Sequence, residues 1–143
     1  MSGPRRHGRE AALRILYLWE VGRIEPAAAV EVYFTVHAPE AGDAVRHFAT
    51  TLVEGVVADL PALDAIIEQH STRWRLDRLA VIDRLILRMA IWELRHAADV
   101  PAAVVLNEAV ELARRFSTEE AVKFVNGVLD AVRKTLRDGT PAM

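Results

Sequence analysis

Apolar residues recur at three- and four-residue intervals along most of this chain, the spacing that lines one stripe of a helix. In the first segment Leu13, Leu16 and Tyr17 share a stripe, with Ala12, Ile15 and Trp19 beside it. So broad a face predicts a helix buried on more than one side and ending near Gly22. Pro26 suits the first turn of a second helix, running through Val30 and Phe34 to about His37, because a first-turn N–H has no helical acceptor to lose. Residues 39–42 break the pattern with a proline and a glycine. A third helix is predicted over 43–59, with Phe48, Leu52 and Val56 inward and Val45 at the margin. Asp59-Leu60-Pro61 then stops and restarts the chain into a short helix carrying Leu63, Ile66 and Ile67 toward a core. After a connector over 71–78, a strong helix is predicted over about 79–96. Its stripe is Ile82, Leu85, Ile86 and Met89, extended by Trp92 and Leu94, with Asp83 at the edge of the buried face.

The best-specified stretch is 106–132. Leu106, Ala109, Val110, Ala113 and Phe116 line one helix, and Phe124, Val125, Val128, Leu129, Val132 and Leu136 line the next. Between them Ser117 as N-cap and Glu120 as its N3 residue form the two halves of a capping box. Thr118 is the weaker alternative cap, since its N3 residue is Ala121. Glu111 with Arg115 and Glu119 with Lys123 have the i, i+4 spacing of helix ion pairs. Asn126 and Asp130 lie one turn apart on the polar side, able to bond each other or a neighbouring helix end. No segment alternates with period two. The prediction is an all-α fold of about seven helices in two packed bundles. They form a single domain over 1–143, with one helical subgroup at about 5–70 and the other at about 71–137.

Composition narrows this picture. A chain of 143 residues is most simply one domain, able to bury roughly 70% of its unfolded surface. Each half alone is near the marginal size, so the two are expected to lean on each other. Apolar residues at 52% with sparse Gly and Pro exclude a disordered chain. Cysteine is absent, which removes disulfides, thiolate metal sites and cysteine nucleophiles and fits the cytoplasm. No apolar run approaches the ~18 residues of a membrane span. The basic start leads into no uncharged apolar run, so no secretory signal is expected.

A net charge of −2 gives no global argument for a polyanionic partner, so any such argument is local. Arg5, Arg6, Arg9 and Arg14 face only Glu10 in the first fourteen residues. They sit at a helix N-terminus, where the macrodipole penalises each cation by about 0.3–1 kcal/mol at low salt. A bound polyanion reverses that sign, because phosphates favour both the arginines and the free N–H groups. The alternative is a solvated, frayed terminus. A second basic run, Arg73, Arg75 and Arg78 around Trp74, has the make-up to neutralise and stack RNA. More often that make-up belongs to a solvated linker with a buried tryptophan.

Catalytic constellations are missing. Glu93-x-x-His96 has the spacing of a di-iron pair, but such sites need two pairs, and His7, His37, His47 and His70 have no Glu three residues before them. A histidine favourably placed at a helix C-terminus is the better account. Three serines occur, none in a nucleophile elbow, and there is no P-loop or G-x-G-x-x-G. No metal, no cofactor and no enzymatic activity are expected.

NEAVELARRF (107–116) followed by KFVNGVLD (123–130) resembles the C-terminal signature of the NusB family of transcription antitermination factors. The arginine-rich entry into REAALRILY (9–17), IDRLILRMAIWEL (82–94) and DVP (99–101) agree in order and spacing, so the resemblance covers essentially the whole chain and is weakest over 21–62. The resemblance implies two small helical bundles packed together. It also implies binding of the single-stranded boxA element of ribosomal RNA leader transcripts together with NusE, a small-subunit ribosomal protein. That complex joins RNA polymerase and suppresses premature termination, and some members form homodimers. By the same resemblance Arg5, Arg6 and Arg9 match the arginine-rich RNA-binding segment, and Glu120, Lys123 and Phe124 a second part of the RNA surface. Tyr17 and Asp83 match positions at the NusE contact. His7-Gly8 and Ala121-Val122 depart from the family pattern in both RNA-facing regions. A related helical domain, fused to ribosomal RNA cytosine methyltransferases, is the poorer fit for a chain without cysteine.

Two residues keep two roles open. Phe124 lies on an apolar stripe, suited either to the core or to stacking on a base, and Tyr17 poses a similar question, its ring suited to packing inside while its hydroxyl reaches a partner. The alternative to the RNA-binding function is a helical protein-interaction or homodimer module with little RNA role.

Overall fold

A computed structural model of the protein describes residues 3–71 and 75–136. Seven α-helices and no strand occur among them: α1 Pro4–Glu20, α2 Pro26–Val32, α3 Asp43–Ala58, α4 Leu60–His70, α5 Val81–His96, α6 Ala102–Phe116 and α7 Glu119–Leu136. The final turn of the second helix, Tyr33–His37, widens into a π turn, and Leu76–Arg78 form one turn of 3-10 helix before α5. Arg73 and Trp74 of the basic connector, and the tail expected to fray over 138–143, lie outside the described residues.

The chain divides into two compact units between Ala58 and Asp59. The boundary expected near residue 70 is therefore earlier, and α4 joins the second unit because it packs on α5 and α7. In the first unit α1 lies chiefly against α3, with α2 across them. Ala12, Leu13, Ile15 and Leu16 of α1 are buried, as are Ala29, Phe34, Ala49, Leu52, Val53 and Val56. Pro26 opens α2 as the pattern predicts, and Pro4 opens α1 in the same way. Helix α1 stops at Gly22-Arg23. A Cβ on Gly22 would lie 2.6 Å from the Leu18 carbonyl oxygen, and Arg23 takes φ 57°, a left-handed conformation that no longer propagates the helix.

In the second unit α5 is central, packed against α4, α6 and α7. The run from Leu85 to Ile91 is buried all round, including Arg88. Arg88 grips Asp64 of α4 in a bidentate pair, Nε donating to Oδ1 at 2.7 Å and Nη2 to Oδ2 at 3.0 Å. Nothing in the local pattern announced this pair, because its members are 24 residues apart. At the far end of α5, His96 Nε2 donates to Asp59 Oδ2 at 3.0 Å. His70, at the end of α4, contacts Thr135 of α7 at 3.4 Å.

The last two helices differ from expectation in detail. Helix α6 buries Val105, Ala109, Leu112 and Ala113, while Leu106, Val110 and Phe116 are half-buried, so the core stripe is rotated by part of a turn. Glu111 pairs with Arg114 at 2.8 Å, one residue short of the expected Arg115, whose guanidinium instead lies 5.3 Å from the Phe116 ring centroid. Asp130 accepts from Arg133 and Lys134 rather than from Asn126, and those hydrogen bonds, Arg133 foremost, hold its carboxyl below the usual range.

Candidate nucleic-acid interface

The candidate residues fall on both units, and each group is built by its own local packing. On the first unit, α1 starts at Pro4 with Gly3 at the N-cap, no side-chain cap and no acidic residue in its first turn. Anions are favoured at such an end. Arg5 is exposed and Arg6 half-buried. Arg9, expected to share the same solvent-facing patch, is only 4% exposed. Its position explains why: one turn into α1 it sits beside Phe48 of α3, with its guanidinium carbon 5.2 Å from the ring centroid. Arg5 approaches the same ring at 5.7 Å. Gly8 gives Phe48 room, since a Cβ there would come within 2.7 Å of the ring. Phe48 is half-buried, not a core side chain.

Tyr17 resolves the other way from Arg9. It is 42% exposed, and Val21, one turn on, is 48% exposed, so together they form an apolar spot at the end of α1.

On the second unit, the corner between α6 and α7 is capped by Thr118 rather than Ser117. The Ala121 N–H donates to Thr118 Oγ1 at 3.0 Å, and α7 begins at Glu119. Ser117 is occupied elsewhere: its hydroxyl donates to Asp83 Oδ1 at 2.6 Å, tying the corner to the first turn of α5. With the cap one residue later, Glu120 is not the N3 half of a capping box and its side chain is exposed. Thr118→Ala is expected to cost about 1 kcal/mol as a lost N-cap. A double-mutant cycle by urea denaturation should couple Ser117→Ala to Asp83→Ala and leave Thr118→Ala additive with both. Coupling of Asp83 to Thr118 instead would restore Ser117 as the cap.

This tie frames an open groove of about 570 Å³, lined by Arg78, Asp83, Thr118, Glu120, Lys123 and Phe124, among others. Three RNA-surface candidates, Glu120, Lys123 and Phe124, thus share one groove with the partner-surface candidate Asp83. Phe124 is half-buried, in contrast to its stripe neighbours Val125 and Val128, and lines the groove. Arg78 joins it from the 3-10 turn, a contribution that was visible in the sequence only as part of a basic connector. The groove holds two cations, two carboxylates and one aromatic ring, a set able to neutralise phosphate, accept base N–H groups and stack a base. Glu93, by contrast, is buried on α5 while His96 is turned to Asp59. Among the described residues no cluster of three or more His, Asp or Glu could hold a metal ion.

The NusB family's sequence model matches residues 6–134. The transcription antitermination protein NusB of Sorangium cellulosum (strain So ce56) is 46% identical over 136 residues, covering 94% of each chain. That of Myxococcus xanthus (strain DK1622) is 46% identical over 138 residues, covering 94% of this chain and 97% of its own. Among solved structures, T. maritima NusB superposes with a TM-score of 0.82 at 34% identity, covering 94% of this chain and 93% of that one. The antitermination factors NusB and NusE in complex with dsRNA supply a second match, with a TM-score of 0.85 at 29% identity over 94% of this chain and 99% of that chain. Helical architecture and kinship together define a transcription antitermination protein. The chain belongs to the NusB family.

Proposed function

We propose that this protein binds boxA-type single-stranded RNA of ribosomal RNA leader transcripts together with NusE. In that complex it joins RNA polymerase and helps suppress premature termination. The observation that carries the reading is the groove that places Lys123 beside the half-exposed ring of Phe124. A cation for the backbone next to an aromatic for a base is the pairing that single-stranded RNA recognition uses. Arg5 and Arg6 supply further phosphate contacts from α1, and Arg9, being buried, acts through its neighbours. Glu120, an acceptor only, suits base N–H groups and not phosphate. Tyr17 and Asp83 supply the NusE contact, a role that the exposed ring of Tyr17 supports. The protein acts by binding rather than turnover, in the cytoplasm where transcripts are made. Among the described residues no helix is long and apolar enough to cross a membrane.

The test is a titration of a boxA-like RNA over a range of salt, with and without NusE. Each phosphate contact on a single strand contributes about 0.7 to the slope of log K against log salt. Replacing Arg5, Arg6 and Lys123 by alanine together is expected to reduce that slope by about 2. An unchanged slope takes these cations out of the interface. A second reading, a protein-interaction or homodimer module with little RNA role, is favoured by the exposed Tyr17 and Val21 at the end of α1. It predicts a dimer by light scattering that neither RNA nor NusE dissociates.

A further inference from the structure

We propose that Phe48 is a positioning residue for RNA binding: its ring, admitted by Gly8, holds the Arg5 guanidinium in a binding-ready orientation. The inference deepens the RNA-binding proposal and rests on it. Arginine side chains at a helix start ordinarily sample many rotamers, and each loses that freedom when fixed by a ligand. A guanidinium already held has less to lose on binding. Here the guanidinium carbons of Arg5 and Arg9 both lie within cation–π range of one ring, at 5.7 and 5.2 Å from its centroid.

Three observations separate this from ordinary core packing. Phe48 is half-buried, whereas its helix neighbours Ala49, Leu52 and Val53 are buried completely or nearly so, so the ring contributes less to the core than its stripe position suggested. The ring is also crowded onto α1, where the absent Cβ of Gly8 leaves the space it occupies. Glycine inside a helix is less stable than alanine, and here close ring approach is what the glycine permits. Finally, Arg9 is buried against that ring while Arg5 is exposed, so one arginine braces the platform and the other presents its charge outward. Gly8 is in this light the position that lets the Phe48 ring lie against the arginine-bearing turn.

The π face, and not apolar bulk alone, is the element under test. Phe48→Leu keeps apolar bulk but removes the quadrupole, and Phe48→Tyr keeps the ring. The measurement is RNA affinity and its salt slope by fluorescence anisotropy with a boxA-like oligonucleotide, with thermal melts as the folding control. Phe48→Leu is expected to weaken binding about three- to ten-fold, as Arg5 regains rotamer freedom that RNA must then remove, and to lower the slope by up to about 0.7, one phosphate contact. Phe48→Tyr should restore both. Gly8→Ala, which forces the ring away from α1, should reproduce the leucine variant while leaving Phe48 in place.

Equal binding by the leucine and tyrosine variants at preserved melting temperature overturns the proposal. So does a loss in Phe48→Leu that persists when Arg5 is already alanine, because the ring would then act on RNA directly and not through the arginine. Failure of the proposal leaves the effects of Arg5→Ala and Lys123→Ala intact. If wild-type protein binds no RNA, both this proposal and the RNA-binding reading fall.

Discussion

Asp64→Ala is expected to lower the stability of the protein by about 3 kcal/mol, the low end of the cost of breaking a buried ion pair. The Arg88 side chain is 6% exposed and that of Asp64 23%. Removing the carboxylate therefore leaves a guanidinium in the interior without the bidentate acceptor that satisfies two of its donors. The cost falls at the low end for two reasons. Asp64 retains some water contact, and Arg88 has further interactions of its own. Asp64→Asn, which keeps one acceptor oxygen and loses the charge, should fall between wild type and alanine. Replacing both partners by apolar residues, Asp64→Leu with Arg88→Met, should recover most of the loss, since no buried charge is then left behind. Urea denaturation followed by circular dichroism measures all four proteins. An Asp64→Ala midpoint within error of wild type would mean that the pair is screened in solution and does not join α4 to α5.

That pair also explains where sequence reading stopped. The seven helices were legible because a 3.6-residue period is a local property, and the apolar positions kept it from Leu13 to Val132. The partition into units was not, because it depends on which helices α4 packs against. Sequence adjacency tied α4 to α3, whereas Arg88 and the faces of α5 and α7 tie it to the second unit. The same limit governs the corner before α7. Ser-x-x-Glu is a sound capping box taken alone, yet Asp83, 34 residues earlier, takes the Ser117 hydroxyl, and the cap passes to Thr118. For α6 the period was right and the phase was off. Val105 and Leu112 turn inward, while Leu106 and Val110 stay half-buried.

The candidate interface divides along the same line. Glu120, Lys123 and Phe124 came from a contiguous motif, and the structure gathers them in one groove with Asp83. Arg78 reaches that groove from a different segment and could be noticed only as one of several connector arginines. Arg9 was placed with Arg5 and Arg6 by charge and by the resemblance, yet its side chain is buried beside an aromatic of α3, 39 residues away in sequence. The one local hint was Gly8. A glycine in the middle of a helix signals close approach by something, without naming what approaches.

Phe124→Leu should then have the largest effect on RNA binding of any single replacement in the groove, about a 10- to 100-fold loss, from a stacking contribution of about 1–3 kcal/mol per base. Stability should change little. The ring is half-buried on α7, and leucine keeps most of its apolar contact with the unit, so the cost in folding is expected to stay below about 1.5 kcal/mol. This separation of effects is the discriminating feature. A core phenylalanine replaced by leucine would lose stability first and lose binding only as far as the fold loosened. A stacking phenylalanine loses binding while the melt is preserved. Phe124→Trp, with a larger π face, should bind RNA at least as well as wild type if the groove admits the ring. The salt slope of Phe124→Leu should match that of wild type, because stacking displaces no counterions. In Lys123→Ala the slope should fall by about 0.7 for a single strand. Two neighbouring residues of α7 are thus expected to fail in different ways, one in affinity at constant slope and the other in slope. If both change the slope alike, or if Phe124→Leu lowers the melting temperature as much as the affinity, Phe124 belongs to the core of the second unit and the groove binds RNA through charge alone.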